Sequence, residues 1–170
     1  MREVFLKKAV LAGVLSAFGV IISPLLSFPV LAFKVFPGQH LVNAIAGVLL
    51  GPWWAALIAV IVGTIRIALG TGTVFAYPGG IPGALVVGFT SWLLRKAGVR
   101  EELAALSEPL GTVFVGGTIA TYLVAPIVGR SLTLYATWLS WAMSSIPGCL
   151  VGYFILEGLR RIGIHKGTVS

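Results

Sequence analysis

The stretch FKVFPGQHLVN, residues 33–43, brings several polar side chains into an otherwise apolar part of the chain. The Pro-Gly pair in its middle marks a turn, so we predict that a helix begins at Gln39. Asn43 follows Gln39 by four residues and His40 by three, so all three side chains share one helix face. Such a polar stripe at the end of an apolar bundle fits either a small-molecule site or hydrogen bonds between helices.

The composition is that of an integral membrane protein. Of the 170 residues, 58% are hydrophobic and 10% charged, and the mean hydropathy is +1.02, whereas soluble domains carry roughly a quarter charged residues. The formal net charge of +7 does not indicate nucleic-acid binding, because the cations sit at the ends of apolar runs. The one cysteine, Cys149, is expected to be a small buried residue.

We predict an all-α, multi-pass membrane protein of one domain, residues 1–170, with six transmembrane helices in a compact bundle. The spans are expected at about 9–23, 39–50, 53–69, 81–94, 110–128 and 134–159. The first is interpreted as a retained span rather than a cleaved signal, because no small-residue cleavage site follows it. Residues 24–38 are expected to form a structured loop, and residues 95–107 a hydrophilic connector in which Ser107 caps the fifth helix.

The distribution of Lys and Arg predicts that the protein lies in the cell membrane with both termini on the cytoplasmic side. Six spans put nine cations on the side of the termini and three on the other. The nine are Arg2, Lys7, Lys8, Arg95, Lys96, Arg100, Arg160, Arg161 and Lys166, and the three are Lys34, Arg66 and Arg130.

The acids are all expected on or near the cytoplasmic side: Glu3, Glu101, Glu102, Glu108 and Glu157. The outer half would then contain no carboxylate. This distribution argues against a carboxylate relay or sodium site within a span. It favours a neutral or anionic ligand over a cationic one.

Three further groups are candidates for the site. Arg66, near the end of the third span, is expected either to reach the membrane interface, or to bond the loop before span two or a ligand. The loop after it, residues 70–79, begins Gly-Thr-Gly-Thr and contains the candidates Thr71, Thr73 and Tyr77. In the last span, aromatic and hydroxyl side chains recur at helical spacing, which suits ring stacking or an interfacial aromatic belt. They are Tyr135, Trp138, Trp141 and Ser145.

Small residues recur every four positions in the first span, at Ala9, Gly13 and Ala17, and this stripe allows close contact with another helix. We find no nucleotide-binding, zinc or serine-nucleophile motif. We therefore expect no catalytic residue, cofactor or metal. There is no visible inverted repeat, which disfavours an autonomous rocking transporter.

Three segments carry a family resemblance: KVFPGQH (34–40), GVLLGPW (47–53) and GTGT (70–73) through YPG (77–79). They resemble the ThiW group of substrate-binding S components of energy-coupling-factor (ECF) transporters. That group is associated with uptake of hydroxyethylthiazole, the thiazole precursor of thiamin. The resemblance covers about residues 9–94 well, and the second half only in its span pattern.

The resemblance implies a membrane coupling subunit docked on the small-residue stripe and two cytoplasmic ATPases that supply energy. It also implies that residues 24–38 cover an outward-facing pocket, with Trp138, Trp141 and Ser145 near the ligand. The resulting hypothesis is a non-enzymatic binding subunit for a small neutral heterocycle, whose polar groups meet Gln39, His40 and Asn43 while Tyr77 or a tryptophan stacks on the ring. The alternatives are another small neutral vitamin-like ligand, a structural membrane subunit, and an autonomous permease.

Overall fold

The structure is a computed structural model that describes residues 2–31 and 33–165. Lys166, counted above among the cytoplasmic cations, lies outside these ranges. The described residues form six helices and one small hairpin, so the predicted all-α class is confirmed. The helices are α1 (Arg2–Leu25), α2 (Pro37–Leu50), α3 (Pro52–Ala68), α4 (Ala76–Lys96), α5 (Glu101–Ile127) and α6 (Leu134–Arg161), and the strands are β1 (Phe28–Val30) and β2 (Phe33–Val35).

Helix α2 is the centre of the bundle. Every residue from Pro37 to Leu50 is buried, and the other five helices pack around it. Its 14 residues span only ~21 Å, less than the ~30 Å of a bilayer core. Because neighbouring helices cover all of its sides, the short helix does not need to match the lipid.

Glycines allow this close packing. A side chain at Gly47 of α2 would bring its Cβ within 2.6 Å of Val87 on α4. Gly148 of α6 lies against the backbone of Pro37, and a Cβ there would come within 2.8 Å of the His40 side chain. The start of α2 is therefore held directly against α6.

Helix α5 differs from the prediction. Residues Glu101–Ser107, expected as a hydrophilic connector, form a 3₁₀ helix whose Ala104 and Ala105 are fully buried. The N-cap predicted at Ser107 is wrong, since its hydroxyl donates instead to the carbonyl of Ala104 (2.7 Å). Wide π-helical turns follow at Leu110–Gly116 and Ala120–Val124. Since a 3₁₀ helix rises about 2 Å per residue, this segment carries the chain well into the bundle.

Helix α4 begins earlier than the sequence suggests. It starts at Ala76, inside the segment interpreted as a loop up to Gly79. Pro78 lies in its first turn, where a backbone N–H has no helical partner, so proline is tolerated there. The loop between α3 and α4 is correspondingly short.

Strands β1 and β2 pair antiparallel, with Phe28 opposite Val35. The Phe36 amide donates to Ser144 Oγ (2.8 Å) and ties the hairpin to α6. We call this part of the bundle the hairpin end; it also includes the α3–α4 loop (69–75) and the α5–α6 turn (128–133). The segment predicted as a structured loop is thus the end of α1 followed by a hairpin.

The opposite end of the bundle is held by ion pairs. Arg160 lies 3.3 Å from Glu157 and 3.7 Å from Glu102, and Arg100 also pairs with Glu157. These contacts join the ends of α5 and α6, so the charged residues concentrate away from the hairpin end.

Three of the described helices, α1, α5 and α6, are long and apolar enough to cross a membrane, and α3 is apolar but shorter. Large apolar side chains face outward on these helices, such as Leu25 and Ile127. This is the surface of a membrane protein, because apolar groups facing lipid need no burial by protein. Six spans and cytoplasmic termini remain predictions.

Candidate functional site

A buried carboxylate lies behind the candidate site. Glu108 is fully buried on α5, and its Oε1 lies 2.8 Å from His40 Nδ1, 3.0 Å from Asn43 Nδ2 and 2.7 Å from Thr112 Oγ1. Ser145 of α6 donates to Oε2. Four donors from three helices therefore converge on one acid, which is the arrangement that an ionised carboxylate requires.

The expectation that every acid lies at the cytoplasmic end is wrong for Glu108. The 3₁₀ helix before it carries the residue into the bundle, to the level of the first turn of α2. A local sign was present in the sequence: Glu108 and Thr112 are four residues apart and share a helix face. The sequence contains no comparable sign that this face meets His40.

Glu108 fixes the orientation of His40. Because a carboxylate only accepts, Nδ1 of the imidazole must donate, which leaves Nε2 as the ring's other polar atom. His40 lines a cavity, and the carboxylate lies behind it. The acid therefore acts on the cavity through the histidine, as orienting carboxylates do for other functional histidines.

The cavity opens at the hairpin end and has a volume of about 320 Å³. Ligand pockets range from roughly 300 to 1,000 Å³, so this one suits a small molecule. Residues from the hairpin, α2, α3, the α3–α4 loop, α4, the α5–α6 turn and α6 contribute to it. The lining consists of Phe33, Lys34, Val35, Phe36, Gln39, His40, Arg66, Gly70, Thr71, Gly72, Thr73, Phe75, Ala76, Gly79, Arg130, Trp141 and Ser144.

Two buried polar groups in the lining are incompletely satisfied. Gln39 donates from Nε2 to Asn43 Oδ1 (3.3 Å), but its Oε1 is buried without a hydrogen-bond partner. Arg66 is 2% exposed and donates to the Thr71 carbonyl (3.2 Å), and its Nε has no partner. Unpaired buried polar atoms are costly, so both are available to a ligand.

Six of the ten residues predicted to bind substrate line this cavity: Gln39, His40, Arg66, Thr71, Thr73 and Trp141. Asn43 and Ser145 lie behind it and bond Glu108. Tyr77 instead faces Thr64, with 3.1 Å between the hydroxyls. Trp138 packs edge-on against Phe114, at 5.1 Å between ring centres, outside the cavity.

Sequence reasoning left out several lining residues. Phe36 and Ser144 are joined by a hydrogen bond across 108 positions of sequence, which no local pattern predicts. Phe75 and Arg130 come from two separate connections between helices. Among the described residues, no group of three or more His, Cys, Asp or Glu could hold a metal ion.

The small-residue stripe on α1 lies away from this cavity. Ala12, Leu15 and Gly19 face the bundle and are buried, while Gly13 and Ala17 are exposed. A Cβ added at Gly13 would meet nothing within 4 Å. Within the described part of the chain, this face of α1 is left uncovered.

Apolar helices packed around a cavity that opens at one end of the bundle are the features of a membrane protein with room for a small molecule among its helices. A family model described as thiamine-precursor transporter protein (ThiW) matches residues 9–162. The chain therefore belongs to the ThiW family of transporters, and the predicted resemblance is confirmed. Searches of curated proteins and of solved structures gave no significant match.

Proposed function

We propose that the chain is the substrate-binding subunit of an ATP-driven uptake system for a thiamin precursor, with hydroxyethylthiazole as the substrate. The observation that supports this most is the cavity of about 320 Å³ at the hairpin end, in a chain of the ThiW family. Its mixture of aromatic rings and a few polar atoms suits a small heterocycle with one or two hydrogen-bonding groups.

The ring would stack on Trp141, which is 7% exposed and closes one wall of the cavity. The hydroxyl of the ligand would donate to Nε2 of His40 or to Oε1 of Gln39, since both atoms can accept a hydrogen bond. Asn43 and Ser145 would contribute indirectly, since both bond the carboxylate that orients His40.

The proposed partners are a membrane coupling subunit, seated on the exposed face of α1 at Ala9, Gly13 and Ala17, and two cytoplasmic ATPases. Small residues allow another helix to approach closely, and Gly13 has open space above it. The complex would lie in the cell membrane with both termini of this chain cytoplasmic. Substrate would bind at the hairpin end, on the opposite side.

Tryptophan fluorescence of the purified protein tests the substrate. We expect a saturable change on titration with hydroxyethylthiazole, lost in Trp141→Phe and kept in Trp53→Phe, whose side chain is 72% exposed. Thiamin is the comparison ligand, because it carries a second ring and a positive charge. No saturable response to either compound from a folded sample would rule out the thiazole assignment.

Uptake into liposomes tests the partner arrangement. The chain alone should not accumulate hydroxyethylthiazole, whereas the chain with coupling subunit and ATPases should do so when ATP is present. Gly13→Leu should reduce uptake by the complex without changing binding by the isolated chain. Accumulation by the chain alone would instead identify an autonomous permease.

A further inference from the structure

Three cations surround the cavity. Lys34 lies on β2, Arg66 on the last turn of α3 and Arg130 in the turn before α6, and all three contribute to the lining. No acidic side chain lines the cavity among the residues that the structure describes. Glu108 lies behind His40 and bonds it, so its charge is already partnered. The space open to a ligand therefore has a positive potential, enhanced by its apolar walls.

Among the three cations, Arg66 is the one best placed to bind a ligand. Its side chain is buried, and the guanidinium carbon lies 4.0 Å from the centre of the Phe36 ring. Of its five N–H donors, the structure pairs one with the Thr71 carbonyl and leaves Nε buried without a partner. No carboxylate among the described residues pairs with it. A buried charge is normally paired, so the partner of Arg66 is expected to come from outside the chain.

The surroundings of Arg66 suit an oxyanion. The planar guanidinium matches the geometry of a carboxylate or phosphate. The Thr73 and Ser144 side chains line the same cavity and can add hydroxyl donors, whereas the Thr71 hydroxyl already donates to the Arg66 carbonyl. Lys34 and Arg130 are exposed at its mouth, where they would attract an anion from solution.

We propose that the cavity has an anion subsite centred on Arg66, next to the ring site, so that a thiazole bearing an anionic substituent binds more tightly than the neutral alcohol. This inference rests on the proposed function for the ring and concerns only the group attached to it. Within the thiazole class, the phosphate ester or a carboxylate would carry that charge. Trp141 and His40 would hold the ring while Arg66 holds the oxyanion.

Binding of three probes to the purified full chain tests this: hydroxyethylthiazole, its phosphate ester and inorganic phosphate. We expect the ester to bind about tenfold tighter than the alcohol, as a hydrogen bond to a charged group allows. In Arg66→Gln the ratio of the two affinities should fall to about one. Arg95→Gln, at the opposite end of the bundle beside Glu101, is the matched control and should keep the wild-type ratio.

A second variant leaves the buried Arg66 unchanged, so its result does not depend on whether Arg66→Gln folds. Lys34→Gln combined with Arg130→Gln changes two exposed side chains, and we expect the ester preference to fall about threefold and to depend less on salt. An unchanged preference in both variants, or equal affinities in the wild type, would overturn the proposal while leaving the thiazole assignment intact. Inorganic phosphate that tightens binding of the alcohol would assign the subsite to a free ion and would overturn the assignment of an anionic substituent to the thiazole. Failure of both thiazoles to bind would instead refute the proposed function.

Discussion

Replacing Glu108 by alanine removes the acceptor on which four buried donors converge. His40, Asn43 and Thr112 lie within 3.0 Å of Oε1, and Ser145 bonds Oε2. Breaking a buried charged pair typically costs about 3–5 kcal/mol, because the remaining partner is left without compensation. At roughly 2–4 °C per kcal/mol for a chain of this size, Tm should fall by roughly 6–20 °C.

Thermal unfolding in a mild detergent measures this loss, with Glu3→Ala as the control. Glu3 is also a helical glutamate, but it is exposed near the start of α1, so its removal should change stability by less than about 0.5 kcal/mol. A double-mutant cycle then isolates the pair with His40. The combined His40→Ala and Glu108→Ala variant should lose about 1–3 kcal/mol less than the sum of the single variants.

The two results test different parts of the argument. A Tm for Glu108→Ala within about 2 °C of wild type would mean that the cluster adds less than about 1 kcal/mol, contrary to its buried geometry. Additive losses in the cycle would show that His40 and Glu108 do not interact, and the orientation of the imidazole by the acid would be wrong.

Two further predictions concern packing and the hairpin. Gly47→Ala should cost about 1–3 kcal/mol of unfolding free energy, because its Cβ would come within 2.6 Å of Val87; Gly13→Ala, with open space above it, should be neutral or slightly stabilising in the same thermal assay. Ser144→Ala removes the acceptor of the Phe36 amide, so that amide should exchange with deuterium roughly five- to tenfold faster, while Ser131→Ala at the exposed turn should leave it unchanged.

The fold class could be predicted from the sequence because apolar runs, and the Gly and Pro residues that separate them, are local signals. The sequence also located the polar stripe that opens α2 and the Thr-Gly loop, because these stand out against hydrocarbon. Helix rotation was harder to predict. In a soluble bundle the polar face points to water, but here lipid is as apolar as the core, so hydrophobicity does not distinguish outward from inward faces.

Trp138 and Trp141 illustrate that limit. They are three residues apart and were expected to line the site together, but a spacing of three still separates them by about 60° around the helix. Only Trp141 faces the cavity, while Trp138 packs on Phe114. Which ring reaches the cavity depends on how α6 packs against α5, which is a tertiary contact rather than a feature of the local sequence.

Glu108 was misplaced for a related reason. Charge near an apparent loop is normally solvated, so the position of Glu108 directly after the connector that contains Glu101 and Glu102 suggested the membrane surface. The structure instead makes residues 101–107 helical and packs two alanines inward. Whether such a short charged segment enters the bundle depends on having partners inside it, and those partners, His40 and Asn43, are more than 60 residues away in sequence.

The two buried charged side chains near the cavity, Glu108 and Arg66, differ in how completely they are hydrogen-bonded, and this difference suits different roles. Glu108 is saturated by donors from three helices, so it contributes rigidity and gains nothing from a ligand. Arg66 keeps an unpaired Nε beside an aromatic ring, so the free protein bears the cost of an incompletely solvated charge. A ligand that supplies the missing acceptor removes that cost on binding, and little further ordering is required because Glu108 already orients His40 in the same cavity. Affinity in such a cavity should therefore depend more on the charge of the ligand than on the area that it buries.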